Sequence, residues 1–173
     1  MSLFYPTRYR RRITAVTAAD LESLGVRGIL LDVDNTLTTH DNMAIAPAVT
    51  AWLDAVRAAG YQPIVVSNNK APRVAPFAAM LDLPFQAKAK KPLPAGYRAA
   101  AATLGLRPEQ CVVIGDQIFT DIVGANLAGM PSILLEPIKP EVEQKFIVFK
   151  RRFERVLMRS RRERERREAD YRG

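Results

Sequence analysis

The stretch "GILLDVDNTLTT", residues 28–39, leads an apolar run directly into two aspartates that a single residue separates. A continuous apolar run of this kind is typical of a buried strand in a parallel sheet. Two carboxylates about 5 Å apart repel each other by roughly 3 kcal/mol at an effective dielectric near 20, unless a positive charge lies beside them. The stretch therefore indicates either a strand with an ordinary polar turn or a site for a cation or a phosphoryl group.

Three further apolar runs, "PIVV", "CVVIG" and "SILL", follow along the chain, with a short extended piece at residues 85–87. Helical patterns lie between them. Capping residues, helix-initiating prolines and terminal glycines predict these helices over residues 17–24, 47–60, 72–83, 94–105 and 119–129. Strands that alternate with helices predict an α/β fold of Rossmann-like, three-layer architecture, in which helices flank a parallel sheet on both faces.

Polar side chains follow three of these strands at the point where each strand ends. Asp32 and Asp34 follow the first strand, Ser67 follows the second, and Asp116 and Asp121 follow the third. Ligands of open α/β sheets bind beyond the carboxyl ends of the strands, where the strand order reverses. Mg²⁺ prefers oxygen ligands and combines one or two carboxylates with substrate phosphate and water. The sequence therefore predicts a Mg²⁺-assisted phosphoryl site at this edge of the sheet.

The lone cysteine and the lack of long apolar runs limit the cellular compartments in which we expect the protein. Cys111 lies inside an apolar run, so we interpret it as a core residue, and a single cysteine excludes an internal disulfide framework. No apolar run reaches the roughly 18 residues that a membrane-spanning helix needs. We therefore expect a cytoplasmic protein that is not integral to a membrane.

The order of the motifs resembles the haloacid dehalogenase (HAD) superfamily of phosphatases. The motifs are "DVDNT", an apolar strand that ends in Ser67, the lysine of "KKP", and "GDQIFTD". The resemblance covers residues 28–136 and implies a phosphomonoesterase with a Mg²⁺ cofactor and an aspartyl-phosphate intermediate.

The same resemblance implies a role for each matching residue. Asp32 would be the nucleophile that attacks phosphorus, and Asp34 would be the general acid for the leaving alcohol and then the base that activates water. The implied phosphate-binding residues include Thr36, which steadies the loop between the two aspartates. The others are Ser67, the backbone N–H of Asn68, and Lys91, with Lys90 as the alternative lysine.

The resemblance also implies the metal ligands. They are Asp32, the backbone carbonyl of Asp34, and Asp116, with Asp121 as a further ligand or support. Two residues that lie a few positions after these motifs receive no role from the resemblance. We interpret the only histidine, His40, as a surface loop residue, and Arg73 as either a solvated helix-start arginine or a contact for a second anionic group of the substrate.

The spacing of the motifs leaves no room for the large cap domain that many HAD enzymes insert over their site. Only 30 residues separate Thr36 from Ser67, and 23 separate Ser67 from Lys91. A helix and a strand take up most of the first interval. We expect an open site, which favours a substrate attached to something large or a cap supplied by another subunit.

The formal net charge of +8 is concentrated at the two termini. Residues 1–12 carry a net +4 and residues 145–173 a net +7, whereas residues 13–144 carry −3. We therefore divide the chain into a phosphatase domain at 1–144 and a basic amphipathic helix or tail at 145–173. Such a tail is typical of helices that bind an anionic membrane surface, and so is the arginine-rich start "FYPTRYRRR", although both could equally pack on the domain.

Within the superfamily, the motifs "DVDNTL", "VVSNN" and "GDQIFTD" and the start "FYPTRY" resemble the YqeG-type branch of class III-A. That branch is similar to phosphatidylglycerophosphate phosphatases, which act on a lipid head group. The resemblance implies a phosphatase for phosphatidylglycerophosphate that is peripheral on the inner membrane face. Two alternatives stay open: a soluble phosphatase for a sugar phosphate or a nucleic-acid end, and an RNA-binding module with basic arms.

Overall fold

The computed structural model describes residues 3–39 and 44–138, so the predictions for His40 and for residues 145–173 lie outside the described residues. Its strands are β1 (Arg8–Arg10), β2 (Gly28–Leu31), β3 (Gln62–Val66), β4 (Phe85–Gln86), β5 (Cys111–Gly115) and β6 (Ser132–Leu135). All six strands are parallel and form one sheet in the order β1-β6-β5-β2-β3-β4. The strand order therefore reverses between β2 and β5, at the centre of the sheet.

Five helices connect the strands and agree with the predicted ones in number and order. They are α1 (Ala18–Ser23), α2 (Pro47–Ala58), α3 (Ala71–Met80), α4 (Pro94–Thr103) and α5 (Val123–Ala128). The predicted capping box at the start of α1 is present, since Thr17 and Asp20 each bind the other's backbone N–H. None of the described helices is long and apolar enough to cross a membrane.

Helices cover both faces of the sheet, as predicted. Successive residues of a strand point to opposite faces. Ile29 and Leu31 of β2 accordingly belong to one apolar cluster, with side chains of α1, α2 and α3, whereas Leu30 belongs to a second cluster with α4 and α5. Cys111 lies fully buried in the second cluster, where burial raises the pKa of its thiol to about 11. Its interpretation as a core residue is confirmed.

Two helices differ from their predicted bounds by more than the residues that cap their ends. α3 begins one residue earlier and ends three residues earlier than predicted, and Pro76 lies inside it without ending it. The predicted helix over residues 119–129 is divided into a π-helical turn at Ile118–Ile122 and α5. The amide of Ile122 donates to the carbonyl oxygen of Gln117 at 3.3 Å, and this five-residue spacing widens the turn.

The sequence did not predict β1, which pairs in parallel with β6 at the edge of the sheet. Its three residues include two arginines and form no apolar run. The strand forms because its backbone can hydrogen-bond to the exposed edge of β6. Arg10 donates to both carboxylate oxygens of Asp20, with Nε at 2.9 Å from Oδ2, and Arg8 donates to Ser23 at 2.8 Å. The N-terminal arginines were predicted either to bind a membrane surface or to pack on the domain. Arg8 and Arg10 pack on the domain.

No cap domain lies between the motifs in the part of the chain that the structure describes. Between β2 and β3 the described residues form a turn and α2, and between β3 and Lys91 they form α3 and β4. The expectation of a capless build is met over these residues.

We expect Asp20→Asn to lower the free energy of unfolding by about 1–3 kcal/mol at neutral pH, because it weakens a charge-assisted bond to Arg10. Burial raises the pKa of Asp20, but hydrogen bonds from Arg10 and Thr17 outweigh it and hold the pKa below its ordinary value. The carboxylate therefore stabilises the fold fully above about pH 4, and this contribution is lost as the pH falls through the lowered pKa. Urea denaturation at pH 7 and pH 3 measures the difference.

The control is Glu22→Gln, which removes an exposed carboxylate from the same helix. It should change the free energy of unfolding by less than about 0.5 kcal/mol. Equal losses in the two variants, or a loss for Asp20→Asn that is the same at both pH values, would contradict the pairing described here.

Candidate active site

Asp32 lies at the carboxyl end of β2, at the centre of the sheet. Its amide donates to the carbonyl oxygen of Ile114 in β5 at 3.0 Å, which extends the pairing of the two strands by one residue. The backbone is therefore held by the sheet while the side chain projects beyond it, with 12% of its area exposed. This is the edge at which open α/β sheets bind ligands, and it lies where the strand order reverses.

Three of the predicted site aspartates meet at this edge. Carboxylate oxygens of Asp32, Asp116 and Asp121 all lie within 4.8 Å of one another. Asp116 directly follows β5, and Asp121 lies in the π-helical turn, where its Oδ2 accepts from the amide of Gln117 at 3.1 Å. A Cβ atom at Gly115 would lie 2.3 Å from Oδ2 of Asp121, so glycine is needed there for the carboxylate to approach the strand.

The ammonium group of Lys91 lies among these carboxylates. Its Nζ donates to Oδ1 of Asp32 and, at 2.8 Å, to Oδ1 of Asp121, and only 4% of its side chain is exposed. Burial lowers the pKa of Lys91, but the two carboxylates outweigh it and hold the pKa well above its ordinary value. Burial raises the pKa of Asp32 to about 7, with Lys91 acting in the opposite direction. Of the two candidate lysines, the buried one at the carboxylates is Lys91, whereas Lys90 is exposed.

Hydrogen bonds between two loops hold Lys91 in place. The side chain of Asn68 accepts from the amide of Lys91 at 2.6 Å and donates to its carbonyl oxygen at 3.2 Å. The amide of Ala89 donates to the carbonyl oxygen of Ser67 at 3.0 Å, and that of Lys88 donates to the carbonyl oxygen of Asn69 at 2.9 Å. The side chain of Asn68 thus supports the lysine, a contact that its predicted backbone role did not include.

Asp34 stands apart from the carboxylate cluster. Its Oδ2 accepts from Nδ2 of Asn69 at 3.0 Å, and its Oδ1 lies 3.4 Å from a guanidinium nitrogen of Arg73. The cluster of three carboxylates does not include its side chain. Metal binding by its backbone carbonyl stays a prediction. Its side chain is instead held by two residues of the segment that follows β3.

The hydroxyl groups of the site are buried. Ser67 is 3% exposed, and its Oγ accepts from the amide of Asn69 at 3.1 Å, which leaves its own proton available to donate. Thr36 is 2% exposed, and its Oγ1 has no hydrogen-bond partner among the described residues. A buried hydroxyl in this state is costly unless a ligand supplies its partner.

The donor set suits a divalent cation with oxygen ligands. The cluster offers only carboxylate oxygens, which hard cations prefer over nitrogen or sulfur. Three carboxylates face one ammonium group, so an excess of negative charge is left at the cluster, and a cation would offset it. Asp32, Asp116 and Asp121 are the residues that could hold the ion.

Comparisons with known proteins identify the family of this chain. The Bacillus subtilis protein named "Probable phosphatase YqeG" is 36% identical over 135 residues, which cover 78% of either chain. This chain belongs to the YqeG-type branch of the HAD phosphatases. The model of the HAD-hydrolase-like family matches residues 88–137. The protein is therefore a phosphoric monoester hydrolase, as the motif order predicted.

Two further comparisons extend the likeness. The chloroplastic phosphatidylglycerophosphate phosphatase 1 of Chlamydomonas reinhardtii is 27% identical over 143 residues, and the match spans about half of that protein, at 53%, and 78% of this chain. The crystal structure of a HAD phosphatase from Thermococcus onnurineus has a TM-score of 0.56 at 16% identity and covers 70% of this chain and 90% of its own. The second likeness bears on the fold alone, and the predicted HAD fold is confirmed.

The sequence analysis missed two residues of the site, Asn69 and Tyr97. Asn69 belongs to the same "SNN" turn as Ser67, and a polar run at a strand end was the signal available for it. Tyr97 of α4 donates to the carbonyl oxygen of Thr120 at 2.9 Å and so braces the π-helical turn that carries Asp121. A Cβ atom at Gly124 would lie 2.2 Å from the tyrosine ring, so the glycine makes room for this brace.

We expect Lys91→Met to lower the free energy of unfolding by about 3 kcal/mol or more in the absence of added metal, because it leaves buried carboxylates without their cation. The matched control is Lys90→Met, which makes the same change at the neighbouring exposed position. That variant should lose less than about 0.5 kcal/mol. Urea denaturation measures both, and similar losses would show that Lys91 does not balance the cluster.

Proposed function

We propose that this HAD phosphatase depends on Mg²⁺ and removes the terminal phosphate of phosphatidylglycerophosphate through an aspartyl-phosphate at Asp32. The observation that carries the proposal is the position of the Asp32 carboxylate. It lies at a strand end, in contact with the ammonium group of Lys91 and within 4.8 Å of the carboxylates of Asp116 and Asp121. A nucleophilic carboxylate beside a fixed positive charge and a cation-binding cluster is what attack on a phosphate dianion requires.

In the first step, an oxygen of Asp32 forms a bond to phosphorus, and the bond from phosphorus to the leaving alcohol breaks. Lys91 offsets the negative charge that the phosphate brings beside the nucleophile. The hydroxyl of Ser67 and the backbone N–H of Asn68 donate to the phosphoryl oxygens, and the buried hydroxyl of Thr36, which has no partner among the described residues, can bind the ligand. Bound Mg²⁺ would supply Lewis-acid stabilisation of the phosphoryl charge.

Asp34 moves the protons in both steps. Its carboxyl group gives a proton to the leaving alcohol oxygen, and in the second step it accepts a proton from the water that attacks phosphorus. That attack breaks the bond between phosphorus and Asp32, so the products are the alcohol and inorganic phosphate. The hydrogen bond from Asn69 at 3.0 Å fixes the orientation that both transfers need.

Two observations favour a lipid head group as the substrate. The Chlamydomonas relative is named for phosphatidylglycerophosphate, and its match covers 78% of this chain. The described residues also insert only short elements between the motifs, so the site can approach a phosphate that projects from a larger body. The name of the relative favours the lipid over a sugar phosphate, a nucleic-acid end or an RNA ligand.

The test is release of inorganic phosphate from phosphatidylglycerophosphate in mixed micelles, with Mg²⁺ and with a chelator instead. We expect Mg²⁺-dependent release by the wild type and a loss of about 1,000-fold or more for Asp32→Asn, since that variant lacks the nucleophile. Asp54→Asn is the matched control, because Asp54 is exposed on α2 and makes the same change away from the site. It should retain full activity.

Glucose 6-phosphate and a 5′-phosphorylated oligonucleotide serve as the other substrates. Release of phosphate from either of them, with none from the lipid, would contradict the proposed lipid substrate but not the phosphatase activity. Equal release of phosphate with Mg²⁺ and with the chelator would contradict the proposed dependence on Mg²⁺. Equal activity of Asp32→Asn and Asp54→Asn would contradict the role of Asp32.

A further inference from the structure

We propose that Arg73 selects the substrate by exchanging partners: it pairs with Asp34 in the free protein and with a second anionic group of the substrate, next to the leaving alcohol, in the complex. The inference rests on the proposed function, because it takes Asp34 as the residue that meets the leaving oxygen. It extends that function by naming the chemical class that the site favours. Substrates of this class carry a phosphodiester or a carboxylate close to the phosphomonoester.

The two oxygens of the Asp34 carboxylate are held by different kinds of contact. Oδ2 accepts from Asn69, whose own backbone is fixed, since its amide donates to Ser67 and its carbonyl oxygen accepts from Lys88. Oδ1 faces the guanidinium group of Arg73 at 3.4 Å. Asn69 therefore fixes the direction of the carboxylate independently of Arg73.

The contact between Arg73 and Asp34 is the weaker of the two. Its 3.4 Å separation is long for a hydrogen bond, whereas the 3.0 Å contact from Asn69 has the ordinary length. The side chain of Arg73 is 44% exposed, and ion pairs at such positions contribute little because water competes for both partners. An incoming anion can therefore displace Asp34 from the guanidinium group at small cost.

The position of Arg73 determines how far from the leaving oxygen the second anion of the substrate must lie. The atom that leaves phosphorus must come within hydrogen-bond reach of the Asp34 carboxylate, and the guanidinium group lies 3.4 Å from an oxygen of that carboxylate. A guanidinium group binds phosphate and carboxylate oxygens in a bidentate fork, which an ammonium group does not provide. An anionic group a few bonds beyond the leaving oxygen is thus the feature that Arg73 can recognise.

The exchange also explains how one residue can serve two states of the site. In the free protein Arg73 keeps a compensating charge beside Asp34. Once the substrate anion takes the guanidinium group, Arg73 no longer holds Oδ1 of Asp34, while Asn69 keeps Oδ2 in place. Only a substrate that carries the second anion brings about this release.

The experiment compares three soluble substrates. The deacylated head group, glycerophosphoglycerophosphate, carries a phosphodiester, 2-phosphoglycolate carries a carboxylate, and glycerol 3-phosphate carries no second anion. We expect Arg73→Ala to lower kcat/KM about tenfold or more for a substrate with the second anion and less than about threefold for glycerol 3-phosphate. Arg73→Lys should fall between the wild type and Arg73→Ala, since it keeps the charge without the fork.

The matched control is Lys70→Ala, which removes an exposed positive charge three residues earlier in the same segment. It should lower kcat/KM less than about threefold for every substrate, because general electrostatic attraction alone gives a small effect. Loss with Arg73→Ala for only one of the two anionic substrates identifies whether the phosphodiester or the carboxylate is the group recognised. The same fold-loss for all three substrates would overturn the proposal, because Arg73 would then act only through Asp34, and so would no loss at all.

A binding measurement separates this inference from the proposed function. Calorimetric titration of glycerophosphoglycerophosphate into Asp32→Asn and into Asp32→Asn with Arg73→Ala needs no turnover. We expect the double variant to bind about tenfold more weakly, and equal affinity would overturn the inference. If the lipid is hydrolysed and the affinities are equal, only the inference fails. If the affinities differ and the lipid is not hydrolysed, only the proposed substrate fails.

Discussion

The buried contact between the ammonium group of Lys91 and the carboxylates of Asp32 and Asp121 is the interaction on which the rest of the site depends. Three carboxylates within 4.8 Å of one another would repel strongly without a positive charge, and the backbone of Asp32 is held by its bond to β5. The lysine relieves this repulsion only in part. The excess of negative charge that remains would give the cluster its affinity for a cation, and the cation and lysine together would make the site attractive to a phosphate.

Each part of the fold near the site can be understood as holding this arrangement. β2 and β5 are neighbours where the strand order reverses, so the residues that follow them meet at one point. Asn68 ties the loop of Lys91 to the end of β3, and Tyr97 braces the turn that carries Asp121. The remaining aspartate of the opening stretch, Asp34, is held by Asn69, and its carboxylate is not part of the cluster. The proposed nucleophile and the proposed proton donor are therefore held by different contacts, although a single residue lies between them in the chain.

The sheet, its helices and the meeting of Asp32, Asp116 and Asp121 could be predicted because they follow from local pattern and from the rule that parallel strands end at one edge. β1 could not, because an edge strand with arginine at both ends lacks the apolar run that marks β2 or β5. The π-helical turn escaped prediction because helical spacing in the sequence does not reveal it, and Tyr97, which contacts the turn, is distant in sequence. The bond from Asn69 to Asp34 joins residues 35 positions apart, and no periodicity in the chain signals such a contact.

The central claim is that Asp32 becomes phosphorylated during turnover. The most direct measurement is acid quenching of Asp34→Asn after mixing with Mg²⁺ and p-nitrophenyl phosphate, followed by mass spectrometry of the peptide that contains residues 28–39. The p-nitrophenolate group leaves without a proton donor, so the loss of Asp34 should block only the hydrolysis of the intermediate. We expect a phosphate adduct on Asp32 that is absent when Asp32→Asn is added to the same chain. An adduct on another residue, or turnover of the wild type with no adduct in either variant, would contradict the account.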